Sequence, residues 1–593
     1  MKRRIITALF VGIFIFGLSC ADVFANSWKW RIYKPHMKWS EVFGESITIK
    51  EWSHGGQAKY VEDPTLEQAL QAEGDGNNAQ ARNSVEALLN SVVPSGGAPS
   101  CANIASLQLP YALITSATVK PASAPNVSPA YPEYCYVLGV INDDIKFEVR
   151  LPAQWNGKFY MGGGGGFVGT IQSQGWQDAL TRGYATTGTD TGHTGANPAK
   201  AGLDGSPFLN NPQALSNFAH RAVHMTAATA KIITRAYYDR DIRYSYFSGC
   251  STGGRQAMME SQRYPEDFDG IIAGAPAYYY RPEFINYIQK AMFPPGRALN
   301  NPVLPVSKLA WIQQEVLNHC DAADGVVDGL LSDPRKCSFY PPRDLACGPS
   351  SSPNCLAADE AEVLNRIYNG IQFAGGDQLP GYSAGCEGVP GGWDLWITYT
   401  SSTLTYFGFP NYQYGFQQGM LRYLMYNNPT FDFHNFNPIL DWHDSDSLAS
   451  IAAAPNTDLS AFKANGGKMI MYNGWCDPIL NPLGAIRYYE KARSNPANQR
   501  WGEGTRNFYR LFLLPGVLHC TGGPGPGNAG VDFLTALENW VEKGVAPEKI
   551  IASHITGTAV DRTRPLCPYP QEAVYKGTGS INDATNFTCK WPH

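Results

Sequence analysis

A serine between two glycines is the clearest chemical signal in this sequence. Gly249-x-Ser251-x-Gly253 lies between a strand-like run, 244–249, and a helix-like run, 255–263. A serine hydroxyl becomes a good nucleophile only when a base removes its proton, and a tight strand-to-helix turn exposes it to that base. Small residues on either side let the strand and the helix pass closely. The pattern predicts a nucleophile elbow; an ordinary glycine-rich turn is the alternative unless a base and an acid lie elsewhere.

A candidate acid and a candidate base lie much later in the chain than the serine. Asp477 and His519 each follow a strand-like run, 467–473 and 508–514. Ligands of open parallel sheets bind at the carboxyl ends of the strands, where Ser251 is also expected. The order serine, aspartate, histidine is that of α/β-hydrolases and differs from the orders in chymotrypsin and subtilisin. His519 is the predicted base, and Asp477 is predicted to orient its imidazole and stabilise the charged form.

Each of these residues has a simpler explanation when it is considered alone. Asp477 precedes Pro478 and could be a turn residue, and a single histidine is more often structural than catalytic. The shared order and the shared position after strands favour a triad. His193 also follows a strand but precedes the elbow, so it is expected only to support the site.

Five consecutive glycines, Gly162–Gly166, follow another strand-like run. A flexible loop is one interpretation, and a phosphate loop is excluded because the Lys-Ser/Thr ending is missing. In elbow hydrolases, one oxyanion donor comes from the loop after the third strand and the other from the residue after the nucleophile. The backbone N–H groups of Thr252 and Gly166 are therefore the predicted oxyanion donors.

The pattern of elements divides the chain into parts. Strand-like and helix-like runs alternate up to about Pro276 and again from about residue 456, which predicts an α/β fold. The stretch between them is rich in aromatic residues, proline and glycine, and holds five cysteines. The expected organisation is a signal peptide (1–25), the first part of an α/β-hydrolase core (26–276), a large inserted lid domain (277–455) and the second part of the core (456–593).

The N-terminus has the features of an export signal. Lys2-Arg3-Arg4 precedes an apolar stretch from Ile5 to Leu18, and Val23-Phe24-Ala25 is a suitable cleavage site. A lipoprotein anchored through Cys20 is the alternative. Without Cys20, the thirteen cysteines leave an even number, as expected of disulfides in an oxidising compartment. The protein is expected to be secreted or periplasmic.

Composition excludes several classes of partner. The 593 residues carry a formal charge of -5 and no basic block, so nucleic acid is not an expected partner. The hydrophobic fraction of 44% and the charged fraction of 16% are those of a globular protein. Beyond the leader, no stretch is apolar enough to predict a membrane span.

A short acidic segment in the middle of the chain could hold a metal ion. Asp321, Asp324 and Asp328 lie within ten residues, and Gly325 and Gly329 favour tight turns between them. Hard cations such as calcium prefer carboxylate and carbonyl oxygens. The segment is not an EF-hand, because its glycine comes early and the terminal glutamate is missing. A solvated acidic turn is the alternative interpretation.

Cysteines adjoin all three residues of the predicted triad. They are Cys250, Cys476 and Cys520. A bridge between Cys250 and Cys520 would tie the nucleophile loop to the base loop, and its long sequence separation would also constrain the unfolded chain.

Taken together, these motifs resemble the tannase/feruloyl esterase family over the chain from about Cys101 to the C-terminus. The segments that carry the resemblance are Trp155–Lys158, the glycine run, Gly249–Gly254, Gly274–Pro276, Asp321–Leu330, Gly466–Gly474, Pro515–Cys520 with Gly522–Pro524, and Arg564–Pro570. The family implies an α/β-hydrolase with a lid inserted after Gly274–Pro276. It also implies a bridge between the cysteines beside the serine and the histidine, here Cys250 and Cys520.

The resemblance further implies a structural calcium ion in the lid. The matching ligands are the side chains of Asp321, Asp324 and Asp328 and the carbonyls of Val326 and Leu330. The other implied disulfides are Cys101–Cys135, Cys320–Cys337, Cys347–Cys355 and Cys567–Cys589. Cys386 and Cys476 remain, and their pairing is a hypothesis from this sequence alone.

The chain departs from the family pattern where substrate is recognised. Asn473 lies two positions before Trp475, where a histidine is common, and the aromatic segment 393–416 has no clear counterpart. The expected activity is that of a secreted serine carboxylic-ester hydrolase. Its expected substrates are small esters of aromatic acids, such as galloyl, feruloyl or related benzoate and terephthalate esters. An acyltransferase of the same fold and a non-catalytic phenolic- or carbohydrate-binding protein are the alternatives.

Overall fold

The computed structural model describes residues 48–52, 58–62, 100–109, 111–124, 130–195, 197–348, 354–373, 378–502 and 504–592. The predicted signal peptide and Cys20 lie outside the described residues. The chain divides into two compact units. The first comprises Met1–Phe159, Gln177–Thr187 and His224–Arg243, and the second comprises Tyr160–Trp176, Gly188–Val223 and Tyr244–His593.

The described residues contain both strands and helices throughout, as the sequence predicts. The strands are β1 Thr48–Trp52, β2 Ala58–Glu62, β3 Ala112–Lys120, β4 Tyr134–Ile141, β5 Ile145–Pro152, β6 Lys158–Gly162, β7 Ala185–Thr189, β8 Tyr244–Cys250, β9 Gly270–Gly274, β10 Ile371–Gln372, β11 Gln378–Leu379, β12 Lys468–Gly474, β13 Tyr509–Leu514, β14 Ile550–Thr556, β15 Ala559–Leu566, β16 Glu572–Tyr575 and β17 Phe587–Lys590.

Helices of very different length alternate with these strands. The α-helices are α1 Cys101–Ile104, α2 Trp176–Thr181, α3 Pro212–Ser216, α4 Ala222–Tyr238, α5 Thr252–Arg263, α6 Glu283–Met292, α7 Leu309–Cys320, α8 Pro341–Asp344, α9 Ala358–Asn369, α10 Trp393–Trp396, α11 Ser401–Phe407, α12 Tyr412–Gly419, α13 Asp446–Ala452, α14 Ser460–Ala464, α15 Pro482–Ser494 and α16 Phe533–Lys543. Within the described residues, no helix combines the length and the apolar character that crossing a bilayer requires.

The first unit contains an antiparallel meander of β3, β4 and β5. The turn between β4 and β5 places Asn142 and Asp143 at positive φ, which asparagine and aspartate tolerate better than most residues. Ile141 pairs with Ile145 directly after this turn, so the register matches the alternating pattern of the sequence.

The second unit contains four parallel strands in the order β13-β12-β9-β8. These strands are short apolar runs that are buried on both faces, as is typical of parallel sheets. Cys250 pairs with Gly274, and Gly474 pairs with Leu514, so the strands end close to one level. The loops that follow β8, β12 and β13 carry Ser251, Asp477 and His519 respectively.

Residues 277–455, here called the insertion, lie in the same unit, and most of their regular elements are helices. Short helices pack around a core of their own, which includes Ile288, Ile312, Leu364, Trp393 and Phe436. Amphipathic α6 and α9 contribute to this core.

Two antiparallel ribbons, β14–β15 and β16–β17, close the chain, and the sequence pattern did not predict them. Along β15 the residues change steadily from exposed at Ala559 to buried at Leu566 without alternating, so the period-two pattern that signals a strand is missing there.

Candidate active site

Ser251 occupies a strained turn between β8 and α5. Its φ of 68° and ψ of -121° are unusual for a residue with a side chain. The Ser251 N–H donates to the Gly274 carbonyl at 3.0 Å, and the Ser251 carbonyl accepts from the Ala277 N–H at 3.2 Å. The backbone on both sides of the serine is therefore fixed by the loop that follows β9.

The glycines of the elbow are required by close packing. A Cβ atom on Gly249 would lie 2.6 Å from the Gly253 carbonyl carbon, and one on Gly254 would lie 2.1 Å from the Gly274 oxygen. Neither distance is compatible with a side chain, so strand and helix cross with glycine on both sides of Ser251.

The glycine run lies beside the elbow, and three of its N–H groups donate hydrogen bonds to neighbouring residues. Gly163 donates to the Ser248 carbonyl at 2.9 Å. Gly164 donates to Oε1 of Gln256 at 3.0 Å, and Gly165 donates to Oε1 of Gln172 at 2.8 Å. A Cβ on Gly163 would approach the Gly253 Cα to 2.6 Å, so the run is packed against the elbow.

Gly166 and Thr252, the two predicted oxyanion donors, are joined to each other. The Thr252 hydroxyl donates to the Gly166 carbonyl at 2.6 Å. Among the residues that the structure describes, neither the Gly166 N–H nor the Thr252 N–H meets an acceptor. Both residues line the same cavity as Ser251. Two N–H groups without an acceptor, beside a serine, are what an oxyanion hole requires.

Asp477 and His519 form a hydrogen bond at the ends of β12 and β13. His519 Nδ1 lies 2.8 Å from Oδ2 of Asp477. Oδ1 of Asp477 accepts the N–H groups of Ile479 at 3.0 Å and Leu480 at 2.9 Å. The aspartate side chain is fully buried, and that of His519 is 11% exposed. A buried carboxylate with both oxygens occupied can orient an imidazole and stabilise its charged form.

A disulfide connects the serine loop to the histidine loop. Cys250 and Cys520 are bridged, with their Cα atoms 5.9 Å apart and a sequence separation of 270. Each cysteine is the direct neighbour of Ser251 or His519. The bridge therefore limits how far the nucleophile and the base can move apart.

The other five pairs of cysteines are also bridged. They are Cys101–Cys135, Cys320–Cys337, Cys347–Cys355, Cys386–Cys476 and Cys567–Cys589. Cys386–Cys476 pairs the two cysteines that the family resemblance left unassigned, and it joins the insertion to the residue before Asp477.

Ser251 opens into a cavity of about 460 Å³, a size suited to a small organic ligand. Aromatic side chains dominate its lining, among them Tyr280, Phe284, Trp396 and Phe416. The Trp396 ring also packs edge-on against the His519 ring, with centroids 5.1 Å apart. The insertion thus supplies an aromatic wall to the site and contacts the candidate base directly.

His193 and Asn473, two residues noted in the sequence, form hydrogen bonds that hold segments next to the site. His193 is buried, its Nε2 lies 2.8 Å from the Phe167 carbonyl, and burial lowers its pKa. It thereby holds the segment that follows Gly166. Asn473 donates Nδ2 to the Leu480 carbonyl at 3.0 Å, so it steadies the loop of Asp477, and it is not among the residues that line the cavity of Ser251.

Several supporting residues carry no signal in the sequence. Gln174 accepts the Cys250 N–H at 2.7 Å, and Gln172 and Gln256 cap the glycine run. Arg255, one turn after Ser251, is fully buried and donates to three carbonyls, including that of Ala219 at 2.6 Å. Burial lowers the pKa of Arg255 to about 10. Single glutamines and arginines in helices and loops are common, so only their contacts reveal these roles.

The acidic segment forms a compact turn after α7. Both carboxylate oxygens of Asp321 and of Asp324 accept backbone N–H groups of the loop, such as Gly329 to Asp321 at 2.9 Å. The Asp328 carboxylate is contacted by Arg564 and lies 3.7 Å from Arg562. Burial, together with the charges of Asp321 and Asp324, raises the pKa of Asp328, and the two arginines oppose this.

The donors of this segment are oxygen atoms, the ligand type that a hard divalent cation takes, and each oxygen that accepts one N–H keeps further capacity to accept. The three carboxylates lie within ten residues of sequence, but in the described residues their oxygens are not gathered within 4.8 Å of one another. Cys320 and Cys337 close the segment with a disulfide, which fixes its ends. These residues are not among those that line the cavity of Ser251.

Comparison with known proteins gives matches over most of the chain. The family model for tannase and feruloyl esterase matches residues 135–590. An uncharacterized esterase of Xanthomonas campestris is 37% identical over 543 residues, which cover 82% of this chain and 91% of the relative. Mono(2-hydroxyethyl) terephthalate hydrolase of Piscinibacter sakaiensis is 34% identical over 531 residues, which cover 78% and 86%.

Solved structures show the same relationship. The crystal structure of feruloyl esterase B from Aspergillus oryzae matches with a TM-score of 0.70 at 26% identity, and the match covers 83% of this chain and 100% of that chain. The family model extends across the elbow, the glycine run, the insertion and the loops of Asp477 and His519. The chain therefore belongs to the tannase and feruloyl esterase family, has the α/β-hydrolase fold of that family and is a carboxylic ester hydrolase.

Proposed function

We propose that this enzyme is an exported serine esterase that cleaves esters of aromatic carboxylic acids through an acyl-enzyme. The observation that carries the proposal is the placement of Ser251 on a strained turn at an aromatic cavity, linked through Cys250–Cys520 to a histidine paired with a buried aspartate. The names of relatives, a feruloyl esterase and a terephthalate half-ester hydrolase, support an aromatic acyl group.

In the proposed first step, the Ser251 oxygen forms a bond to the ester carbonyl carbon while His519 Nε2 takes the hydroxyl proton. The carbonyl oxygen becomes an oxyanion and accepts the N–H groups of Thr252 and Gly166. Collapse of this intermediate breaks the bond to the alcohol, which receives the proton from His519. Asp477 stabilises the imidazolium throughout and keeps its own negative charge.

In the second step, water attacks the acyl-enzyme. His519 takes one water proton, the same two N–H groups hold the second oxyanion, and the aromatic acid leaves as Ser251 recovers its proton. The aromatic wall of the cavity, including Trp396 and Phe416, would contact the acyl group. Stacking and edge-to-face contacts favour a planar aromatic acid over an aliphatic chain of similar volume.

A substrate panel tests this activity. Methyl gallate, methyl ferulate, chlorogenate and mono(2-hydroxyethyl) terephthalate are compared by kcat/KM, with Ser251→Ala as the matched control and an aliphatic ester as the reference. We expect an aromatic ester to be preferred and Ser251→Ala to be inactive on all of them. Transfer of the acyl group to an added alcohol in excess of hydrolysis would instead identify an acyltransferase. Failure of a fluorophosphonate to label Ser251 would indicate a binding protein.

Calcium is proposed as a structural ion in the acidic segment. Asp321, Asp324 and Asp328 would hold it with their side chains, and Val326 and Leu330 with their carbonyls; the ion would supply positive charge to a buried acidic turn. An ion that binds only the folded form stabilises it by mass action. Strong chelator should therefore lower Tm more than it changes kcat at a temperature where the protein stays folded. An unchanged Tm, with metal analysis proving that no metal remains, would contradict the site.

Export is proposed from the leader and from the disulfides. Lys2-Arg3-Arg4 with the apolar stretch that follows it is a signal-peptide pattern, and six disulfides form readily in an oxidising compartment. N-terminal sequencing of protein from the culture medium or the periplasm tests cleavage before Asn26. Protein that carries lipid on Cys20 would support the lipoprotein alternative instead.

A further inference from the structure

The loop that carries Asp477 is held by side chains from the insertion. Residues 476–481, here called the acid loop, offer two carbonyls directly after the aspartate. Gln413 of α12 donates Nε2 to the Pro478 carbonyl at 2.7 Å, and Tyr382 donates its hydroxyl to the Ile479 carbonyl at 3.0 Å. Gln413 also contacts the Tyr382 hydroxyl at 3.0 Å, and both side chains are buried.

These two carbonyls belong to the same peptide groups as the N–H donors to Asp477. The Pro478 carbonyl shares a peptide with the Ile479 N–H, and the Ile479 carbonyl shares one with the Leu480 N–H. Those two N–H groups donate to Oδ1 of Asp477 at 3.0 and 2.9 Å. Because a peptide group is planar, a donor that fixes the carbonyl also fixes the direction of the N–H. It also polarises the N–H and strengthens its hydrogen bond.

Gln413 is itself oriented by a buried network of amides. Its Oε1 accepts Nε2 of Gln289 from α6 at 3.1 Å, and Oε1 of Gln289 accepts Nδ2 of Asn411 at 3.0 Å. Asn411 also donates to the carbonyls of Ile397 and Thr398 at 2.8 and 2.7 Å. All three amides are fully buried. A buried amide that loses a partner is costly, so this network holds one orientation and links the wall near Trp396 to the acid loop.

Tyr382 remains a donor across the working pH range, because burial and the charge of Asp477 raise its pKa well above the usual value. The Cys386–Cys476 disulfide adds a covalent tie between the insertion and the residue before Asp477. The Cys476 N–H donates to the Val517 carbonyl at 3.0 Å, close to His519 in the chain. The insertion therefore holds the acid loop on both sides of the aspartate.

We propose that the insertion positions the catalytic acid: Gln413 and Tyr382 are positioning residues that fix, through two peptide groups, the N–H donors to Oδ1 of Asp477. Oδ2 is thereby directed at His519. The insertion then has a part in catalysis beyond covering the cavity. This inference rests on the proposed function, in which Asp477 orients His519.

Gln413→Leu tests the proposal, because it keeps approximate length and removes the amide. We expect kcat to fall on the order of 10- to 10²-fold with KM changed less, since misplacement of a catalytic group by about 1 Å has effects of this size. The acid limb of the kcat/KM–pH profile should move to lower pH, because a misplaced aspartate stabilises the imidazolium form of the base less.

Gln417→Leu is the matched control. Gln417 lies one turn later on α12, is equally buried, and accepts from Asn286 at 3.1 Å inside the insertion. It contacts no residue of the acid loop among the hydrogen bonds of the described residues. We expect this variant to lose stability, measured as Tm, while kcat and the pH profile stay those of the parent. Equal effects of the two variants on the pH profile would overturn the proposal.

A double-mutant cycle separates this inference from the proposed function. In an Asp477→Asn background, Gln413→Leu should lower kcat no further, because Gln413 acts through the aspartate. A full additional loss there would refute the positioning role. Parental activity of Asp477→Asn alone would refute the triad instead. If Gln413→Leu does not fold, Tyr382→Phe removes only a hydroxyl and should shift the pH profile in the same direction; an unshifted profile in this variant would then refute the proposal.

Discussion

Ser251 is held by glycines and peptide groups near it, whereas the loop that carries Asp477 is held by side chains of the insertion that donate to its carbonyls. Around the serine, Gly249 and Gly254 allow backbone contacts that no side chain would permit. Around the aspartate, Gln413 and Tyr382 fill the corresponding role, with fully satisfied polar groups. The nucleophile is therefore fixed by local backbone geometry, and the acid by long-range packing of a separate part of the chain.

The elbow and the acid loop should tolerate substitutions differently. A glycine elbow cannot be altered without strain, because a single Cβ atom would collide with the next strand. A loop held by glutamine and tyrosine side chains can be adjusted by substitutions in the insertion, which also forms the aromatic wall of the cavity. Asn411 hydrogen-bonds both to the carbonyls that follow Trp396 and to Gln289, the partner of Gln413, so the wall and the contacts of the acid loop share one network.

The largest expected effect is that of replacing Asp477. Asp477→Asn should lower kcat on the order of 10⁴-fold, because the amide favours the wrong imidazole tautomer and cannot stabilise the imidazolium. Steady-state kinetics on the preferred aromatic ester measures the loss, and circular dichroism checks the fold. A loss smaller than about tenfold in a folded variant would show that Asp477 is not the acid of a triad.

The next expected effect concerns the covalent link between the nucleophile and the base. Cys250→Ala with Cys520→Ala should lower kcat on the order of 10²-fold before the fold is lost, because a drift of about 1 Å between the two loops is enough. The matched control is Cys347→Ala with Cys355→Ala, a bridge within the insertion. Full activity of the Cys250/Cys520 variant would deny the bridge a catalytic role, and free thiols in active oxidised parent protein would deny that it forms.

The serine end could be predicted from the sequence, because its determinants are local. Gly249, Ser251 and Gly253 lie within five residues, and the triad order needs only the strand ends. The supports of Asp477 could not be predicted: Gln413 and Tyr382 lie 65 and 97 residues from the carbonyls that they contact, and an isolated buried glutamine has no sequence pattern. The C-terminal ribbons were missed for a different reason: β15 runs from an exposed end to a buried end and therefore has no alternation of apolar and polar residues.

A smaller effect, on the free energy of unfolding, is expected from a substitution of Gly254 in the elbow. Gly254→Ala should lower the free energy of unfolding by about 1–3 kcal/mol, because its Cβ would lie 2.1 Å from the Gly274 oxygen in the sheet. Gly348→Ala is the control, since nothing lies within 4 Å of the Cβ it would add. Denaturant unfolding at equilibrium gives both values. Equal stability of the two variants would show that the elbow can accommodate a Cβ atom at Gly254.

The smallest expected effect tests the insertion through pH. Glu283 begins α6, the helix that carries Gln289, and burial raises its pKa to about 7, while Arg281 and the Ser445 hydroxyl oppose the shift. Because the folded pKa lies above the ordinary value of 4.5, the parent loses stability as pH rises through 7.

Glu283→Gln should remove this dependence. We expect the variant to unfold at higher denaturant concentration than the parent at pH 8 and to lose its advantage near pH 5, where the parent carboxyl is protonated. Glu362→Gln, which removes an exposed carboxylate paired with Arg366, is the control. A difference between Glu283→Gln and the parent that is the same at both pH values would contradict the raised pKa.

Ser251 as the residue that becomes acylated is the central claim, and trapping the intermediate tests it most directly. The enzyme is mixed with an aromatic ester that has a good leaving group, quenched in acid within the first turnover, digested and mapped by mass spectrometry. We predict that the acyl group is found on the peptide that contains Ser251, and that Ser251→Ala shows neither the adduct nor turnover. An acyl group on another residue, or undiminished turnover by Ser251→Ala, would contradict the claim.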